Sequence, residues 1–275
     1  MTTQYLTHAG GSIAYDDTGA GPLVICAPSI GDLRAEYRFL TPQLTAAGYR
    51  VVTMDLRGVG ESSTGWSDYS VAGVGADLLA LICQLDAGPA VIVGTSMAAG
   101  AAIWAATEEP AAVAGLVLIG PAVHGTVSWA NSMLYSALFA RPWGVAVWAW
   151  YYGTLYPTHK PADFAAYVRS LRANLGEPGR LQAMRQAILA SKAAAEQRLS
   201  RVQAPVQVIM GAKDPDFKDP AAEAQWVADQ VRGQVAIIAD AGHYPQTEMP
   251  AVTAPLILEF LARRHPAQQV DHVQA

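Results

Sequence analysis

Short apolar, β-branched runs alternate with longer stretches of helical spacing along most of this chain. The runs at residues 23–26, 50–54, 90–93, 116–119, 206–210 and 235–238 read as strands. Most are continuous rather than alternating, as expected of parallel strands covered on both faces. Helical spacing separates them at 33–48, 70–86, 96–109, 220–232 and 251–264. The βα alternation predicts an α/β fold with a doubly wound, mostly parallel sheet. Two earlier segments, 5–8 and 12–16, predict a hairpin about Gly10-Gly11. The polar tail from His265 to Ala275 is expected to fray.

The alternation breaks between about 122 and 200, where no comparable strand pattern occurs. Pro142, Pro157, Pro161 and the glycines from Gly176 to Gly179 punctuate a run of helical pieces. The expected organisation is a core of residues 1–121 and 201–275 with a helical cap, 122–200, inserted in it. This insertion carries four of the seven tryptophans, Trp129, Trp143, Trp148 and Trp150. Any one aromatic there reads first as ordinary packing. Together they point to an apolar pocket, with Trp129, Trp148 and Tyr152 as candidate substrate contacts.

Composition narrows the class. A chain of 275 residues, 52% hydrophobic and 15% charged, can bury a large core, which argues against disorder. Net charge is −5 and no basic run occurs, so a nucleic-acid partner is not expected. The most apolar stretch, 143–152, is half the about 20 residues a membrane span needs. Met1-Thr2-Thr3-Gln4 lacks the features of a signal peptide. Cys26 and Cys83 read as two buried thiols in a reducing compartment. A soluble cytoplasmic protein is the expectation, as monomer or homodimer.

The candidate chemistry begins where the run at 90–93 enters Gly94-Thr95-Ser96-Met97-Ala98, followed by a helix rich in small residues. A tight strand-to-helix turn forces its apical residue into strained geometry and admits only small neighbours. Such a serine sits at a helix N-terminus, where unpaired N–H groups favour developing negative charge. A plain helix N-cap is the alternative reading. A serine nucleophile needs a base and an acid to orient that base. The strand at 206–210 leads into Gly211-Ala212-Lys213-Asp214, and that at 235–238 into Asp240-Ala241-Gly242-His243. His8, His124, His159, His265 and His272 lack that setting. Asp214 comes before its rivals Asp216 and Asp219, which read as loop solvation or capping of the helix after Pro220.

These features resemble the α/β-hydrolase superfamily over nearly the whole chain. Beside the Ser96 turn, Asp55-Leu56-Arg57-Gly58-Val59-Gly60-Glu61-Ser62 resembles the family's D-x-R-G-x-G-x-S turn, which is structural there. Gly211 to Asp214 resembles its acid turn. Gly242-His243-Tyr244-Pro245-Gln246-Thr247-Glu248-Met249-Pro250 resembles its histidine segment, with Glu248 supporting the loop. Ala98 departs from G-x-S-x-G. Ala27-Pro28-Ser29-Ile30 departs from the family's His-Gly after the third strand. Pro28 has no N–H. Met97 supplies one oxyanion-hole N–H. Aligning Pro28-Ser29 with His-Gly makes Ile30 the other, and a one-residue shift makes it Ser29.

The resemblance implies no metal, no cofactor and a Ser96-His243-Asp214 acyl-enzyme mechanism. The expected substrate is a small to medium hydrophobic ester, because few charged groups stand near the site, although Asp32 and Arg34 follow the third strand. C–C, amide or lactone hydrolysis and cofactor-free perhydrolysis use the same triad. A non-catalytic small-molecule receptor on the same fold is the reading from another class.

Overall fold

The computed structural model describes residues 2–125 and 128–264. The expected fraying from His265 falls outside them. Eight strands form one sheet: β1 (Gln4–His8), β2 (Gly11–Thr18), β3 (Leu23–Ala27), β4 (Arg50–Met54), β5 (Ala90–Thr95), β6 (Val113–Ile119), β7 (Val206–Gly211) and β8 (Gln234–Ile238). Their order is β1-β2-β4-β3-β5-β6-β7-β8. The first hairpin and the β2–β4 pair are antiparallel, and the other pairs are parallel.

The central strands are buried from end to end because helices cover both faces. Along β5, Ala90 and Ile92 join one core with α2 (Val71–Leu85), α3 (Met97–Glu108) and α9 (Pro220–Val231). Val91 and Val93 point the other way, to α1 (Thr41–Ala46) and α11 (Pro250–Arg264). The predicted helix at 33–48 divides: Arg34–Tyr37 is a 3₁₀ turn, and α1 starts at Thr41 with Pro42 in its first turn. Asp219 caps α9 by accepting the Ala222 N–H at 3.0 Å.

Between β6 and β7 lie α4 (Trp129–Leu138), α5 (Gly144–Thr154), α6 (Phe164–Gly176), α7 (Arg180–Leu189) and α8 (Ala193–Glu196). No strand interrupts this helical insertion among the described residues. A final short helix, α10 (Pro245–Glu248), precedes α11. No described helix is long and apolar enough to cross a membrane.

The family-type turn after β4 knits the core. Arg57 forks onto Asp77 at 2.5 and 2.9 Å and donates to the Asp68 carbonyl at 2.8 Å. Ser62 Oγ donates to the Asp55 carbonyl and accepts the Ala14 N–H, each at 2.9 Å. One expectation about the thiols is corrected. Both are free, but only Cys26 is buried, because Cys83 lies on the solvent side of α2.

Candidate active site

Ser96 stands between β5 and α3 with φ 57° and ψ −116°, a region an L-residue rarely enters. Holding it there costs about 1–3 kcal/mol, which the surroundings must offset. They do so through the backbone. The Ser96 N–H donates to Ile119 O at 2.8 Å, and its carbonyl accepts from Ala99 and Ala122 at 3.1 and 3.2 Å. The side chain makes no capping bond to α3, so the plain N-cap reading fails. Gly94 is required two residues earlier, since a Cβ there would stand 2.6 Å from the Ala98 carbonyl oxygen. Ala98 itself is wholly buried, with its methyl accommodated.

Asp214 follows β7 and His243 follows β8. The loops bring them together although 29 residues separate them, and His243 Nδ1 meets Asp214 Oδ2 at 2.7 Å. That bond leaves Nε2 as the ring nitrogen for the cavity that His243 shares with Ser96. The second Asp214 oxygen accepts the Asp216 N–H at 3.0 Å. Burial alone would lower the imidazole's pKa. The charge and hydrogen bond of Asp214, followed by the more distant Asp216 and Glu36, override it and raise the group from 6.5 to about 9. Glu248 holds the loop: one oxygen accepts the Gly242 N–H at 2.6 Å, the other the Thr158 and His159 N–H groups at 2.9 and 2.8 Å. Gly120 gives the ring room, since a Cβ there would lie 3.2 Å from it.

The loop after β3 supplies the facing backbone. The Ser29 N–H is engaged, donating to Glu36 Oε2 at 2.8 Å. Glu36 is buried, and its other oxygen accepts Gln246 Nε2 at 2.8 Å. Burial and the charge of Asp32 push its carboxyl well above the usual range. The Ile30 N–H has no acceptor among the described residues. Met97 opens α3, where the first N–H groups lack intrahelical partners. Ile30 and Met97 therefore offer two free donors on the Ser96 side, while Ser29 does not.

A cavity of about 420 Å³ opens on Ser96 and His243. Its walls are mainly apolar, with Ile30 from the core and Tyr135, Phe139, Val147, Trp148 and Ile188 from the insertion. Asp214, Asp216 and His243 each place one possible ligand atom within 4.8 Å of the others, so they are the residues that would hold a metal. His243 Nδ1 can serve Asp214 or a metal, not both.

A profile of the alpha/beta hydrolase family matches residues 24–256. The chain belongs to the alpha/beta hydrolase family. Over 111 residues the chain is 39% identical to the putative non-heme bromoperoxidase BpoC of Mycobacterium tuberculosis, a match covering 39% of this chain and 41% of that protein. The chain thus spans about two fifths of the length of that relative. The uncharacterized protein Rv2715 of Mycobacterium tuberculosis is 26% identical, with 97% of this chain and 83% of that protein covered. A hydrolase from Pseudomonas aeruginosa PA01 superposes with a TM-score of 0.80 at 25% identity, covering 94% and 98% of the two chains.

Within this alpha/beta hydrolase, Ser96, His243, Ile30, Ser29 and Trp148 line one cavity, with Asp214 behind His243 and Met97 beginning the helix behind Ser96. Two expected contacts are corrected. Trp129 is 78% exposed and does not line the cavity, because the first turn of α4 presents it to solvent. Tyr152 is wholly buried and turned toward the core, donating to Asp32 Oδ2 at 2.9 Å. Asp32 is held by Tyr152 and Tyr167 and Arg34 by Asp16, Asp55 and Glu61, so neither reaches the cavity. His124 lies between Glu196 and Glu223, away from Ser96.

Sequence reading missed Glu36, Tyr151 and Lys192, and took Asp216 only as a rival to Asp214 with a loop or capping role. Asp216 is more than loop solvation: it accepts a hydrogen bond from Tyr151 OH and lies 3.8 Å from His243 Nδ1. The available signal was an Asp-Pro-Asp repeat beside the acid turn. For Glu36, flanked by Arg34 and Arg38, the local pattern carried no such signal.

Proposed function

We propose that this protein is a carboxylic-ester hydrolase acting on a small to medium, largely apolar ester, with α4–α8 as a cap over the site. One observation carries the reading: a strained serine with no capping role shares an apolar cavity with a histidine tied to a buried aspartate. Ser96 Oγ attacks the ester carbonyl carbon while His243 Nε2 takes its proton. The carbonyl oxygen becomes an oxyanion and receives hydrogen bonds from the Met97 and Ile30 N–H groups. His243 then gives its proton to the leaving alkoxide, and an acyl-Ser96 ester remains. Water attacks that ester with His243 again as base, which releases the acid and restores Ser96. Asp214 keeps the proton on Nδ1 and balances the imidazolium formed in each half-reaction.

The test is hydrolysis of p-nitrophenyl esters from acetate to long acyl chains, by wild type and Ser96→Ala, with fluorophosphonate labelling of both. Turnover that disappears in the variant supports the reading, and the best chain length sizes the pocket. Labelling without turnover shifts the bond cleaved to a C–C, amide or lactone bond. Neither turnover nor labelling overturns the catalytic reading and leaves a small-molecule receptor.

The likeness to a relative named as a putative non-heme bromoperoxidase favours a second reading, perhydrolysis. Hydrogen peroxide would replace water as the attacker of acyl-Ser96 and release a peracid. Peracid formation from acetate and peroxide, absent in Ser96→Ala, is the observation that would support it.

A further inference from the structure

We propose that Lys192 receives a carboxylate on the substrate, so that the largely apolar ester also carries an anionic group. The inference rests on the hydrolase reading of Ser96 and narrows its substrate class. The cavity has one basic side chain in its wall besides His243, and that is Lys192. His243 has its counter-charges, Asp214 at 2.7 Å and Asp216 at 3.8 Å. Lys192 has none. Among the described residues, no hydrogen bond or ion pair engages its ammonium.

The neighbourhood explains why. Glu196, the acid nearest in sequence, gives one oxygen to the Gly125 N–H at 2.8 Å and the other to His124 at 3.3 Å. Asp216, the acid in the same cavity wall, takes the Tyr151 hydroxyl and faces His243. The lysine is also held in place at its backbone. Its N–H donates to Gly125 O at 2.8 Å, and its carbonyl accepts the Ala195 and Glu196 N–H groups at 2.9 and 3.2 Å. Gly125 follows β6, so these bonds tie Lys192 to the strand end beside Ser96.

A half-buried ammonium without a partner is a desolvated charge, and burial displaces it toward the neutral form. A ligand carboxylate removes that deficit through a charge-assisted hydrogen bond, while the apolar walls hold the chain joining it to the ester. A wholly neutral ester leaves the deficit in place. Half-esters of dicarboxylic acids, and lactones bearing a carboxylate, have the required chemistry.

The kinetic experiment compares mono-p-nitrophenyl glutarate with p-nitrophenyl pentanoate in wild type, Lys192→Met and Lys192→Arg. Lys192→Met should lower the anionic-to-neutral ratio of kcat/KM about tenfold, mostly through KM, and Lys192→Arg should restore most of it. An unchanged ratio in Lys192→Met overturns the inference and leaves the hydrolase reading intact. A parallel measurement needs no turnover. Trp148 and Trp150 line the cavity, so their fluorescence reports binding of 5-phenylpentanoate against its amide in Ser96→Ala. Tighter binding of the carboxylate, lost on adding Lys192→Met, supports the anion site even if no ester is cleaved, in which case only the hydrolase reading fails. Equal binding of acid and amide overturns the site.

Discussion

Helices α3 and α5 have similar lengths, 12 and 11 residues, and both are apolar on nearly every side, yet the fold uses them in opposite ways. In α3 ten of the residues are buried, most of them alanine or glycine. It follows the Ser96 turn and lies against the sheet, so its small side chains set how closely it approaches β5 and β6. In α5 only Gly144, Trp148 and Tyr152 are buried. Its remaining aromatics reach the cavity or the solvent, and Trp150 is 71% exposed. Small side chains let α3 act as a fixed support for the strained Ser96. Large ones on α5 shape a volume. The same hydrophobicity therefore packs against the sheet in one place and lines a cavity in the other.

The largest effect is expected where the rigid support meets the chemistry. Asp214→Asn should keep the fold but lower kcat for the best ester about 10⁴-fold, because the wrong His243 tautomer then faces Ser96. A fall below tenfold in steady-state assays would mean that Asp216 replaces it. Next comes the support itself. Ile103→Ala in α3 removes a fully buried side chain and should destabilise by about 2–5 kcal/mol in denaturant titration.

A third prediction concerns pH. His243 must be neutral to accept the Ser96 proton, so kcat/KM should climb as pH rises toward about 9. Asp216→Asn removes one of the carboxylates that raise this group, and its acidic limb should move to lower pH. The linked stability has the opposite sense. The Asp214–imidazolium pair stabilises the fold fully below about 6.5 and loses that contribution as pH rises through about 9. Thermal melts across that window should show the decline in wild type and not in His243→Gln. The smallest effect on stability is expected at the exposed mouth of the cavity on α5, where Trp150→Ser should change it by less than about 0.5 kcal/mol. A loss as large as that of Ile103→Ala would break the contrast between the helices.

Much of this was legible in the residues. The six parallel-strand runs, the hairpin and the core helices other than the divided one at 33–48 have the expected places, because continuous apolar runs and 3.6-residue spacing are local signals. Ser96, Asp214 and His243 were legible for a related reason: each sits in a turn whose glycines or short neighbours the backbone requires. The insertion was legible only as helical. A helix such as α5, apolar all round, has no periodic face, so its pattern cannot say whether Trp148, Tyr152 or Trp150 meets a ligand.

The sequence by itself determined the alternation of strands and helices, the interruption after β6 and the order serine, acid, histidine. Local conformational preference and hydrophobic spacing act within a few residues, so they are written directly into the chain. Only the tertiary structure decided that Glu36 takes the Ser29 N–H and leaves Ile30 free among the described residues, that Tyr152 turns to Asp32, and that Lys192 stands in the cavity wall without a counter-ion among them. Those outcomes depend on which groups from distant segments reach one another first. A buried polar atom is satisfied by whatever partner the packing supplies.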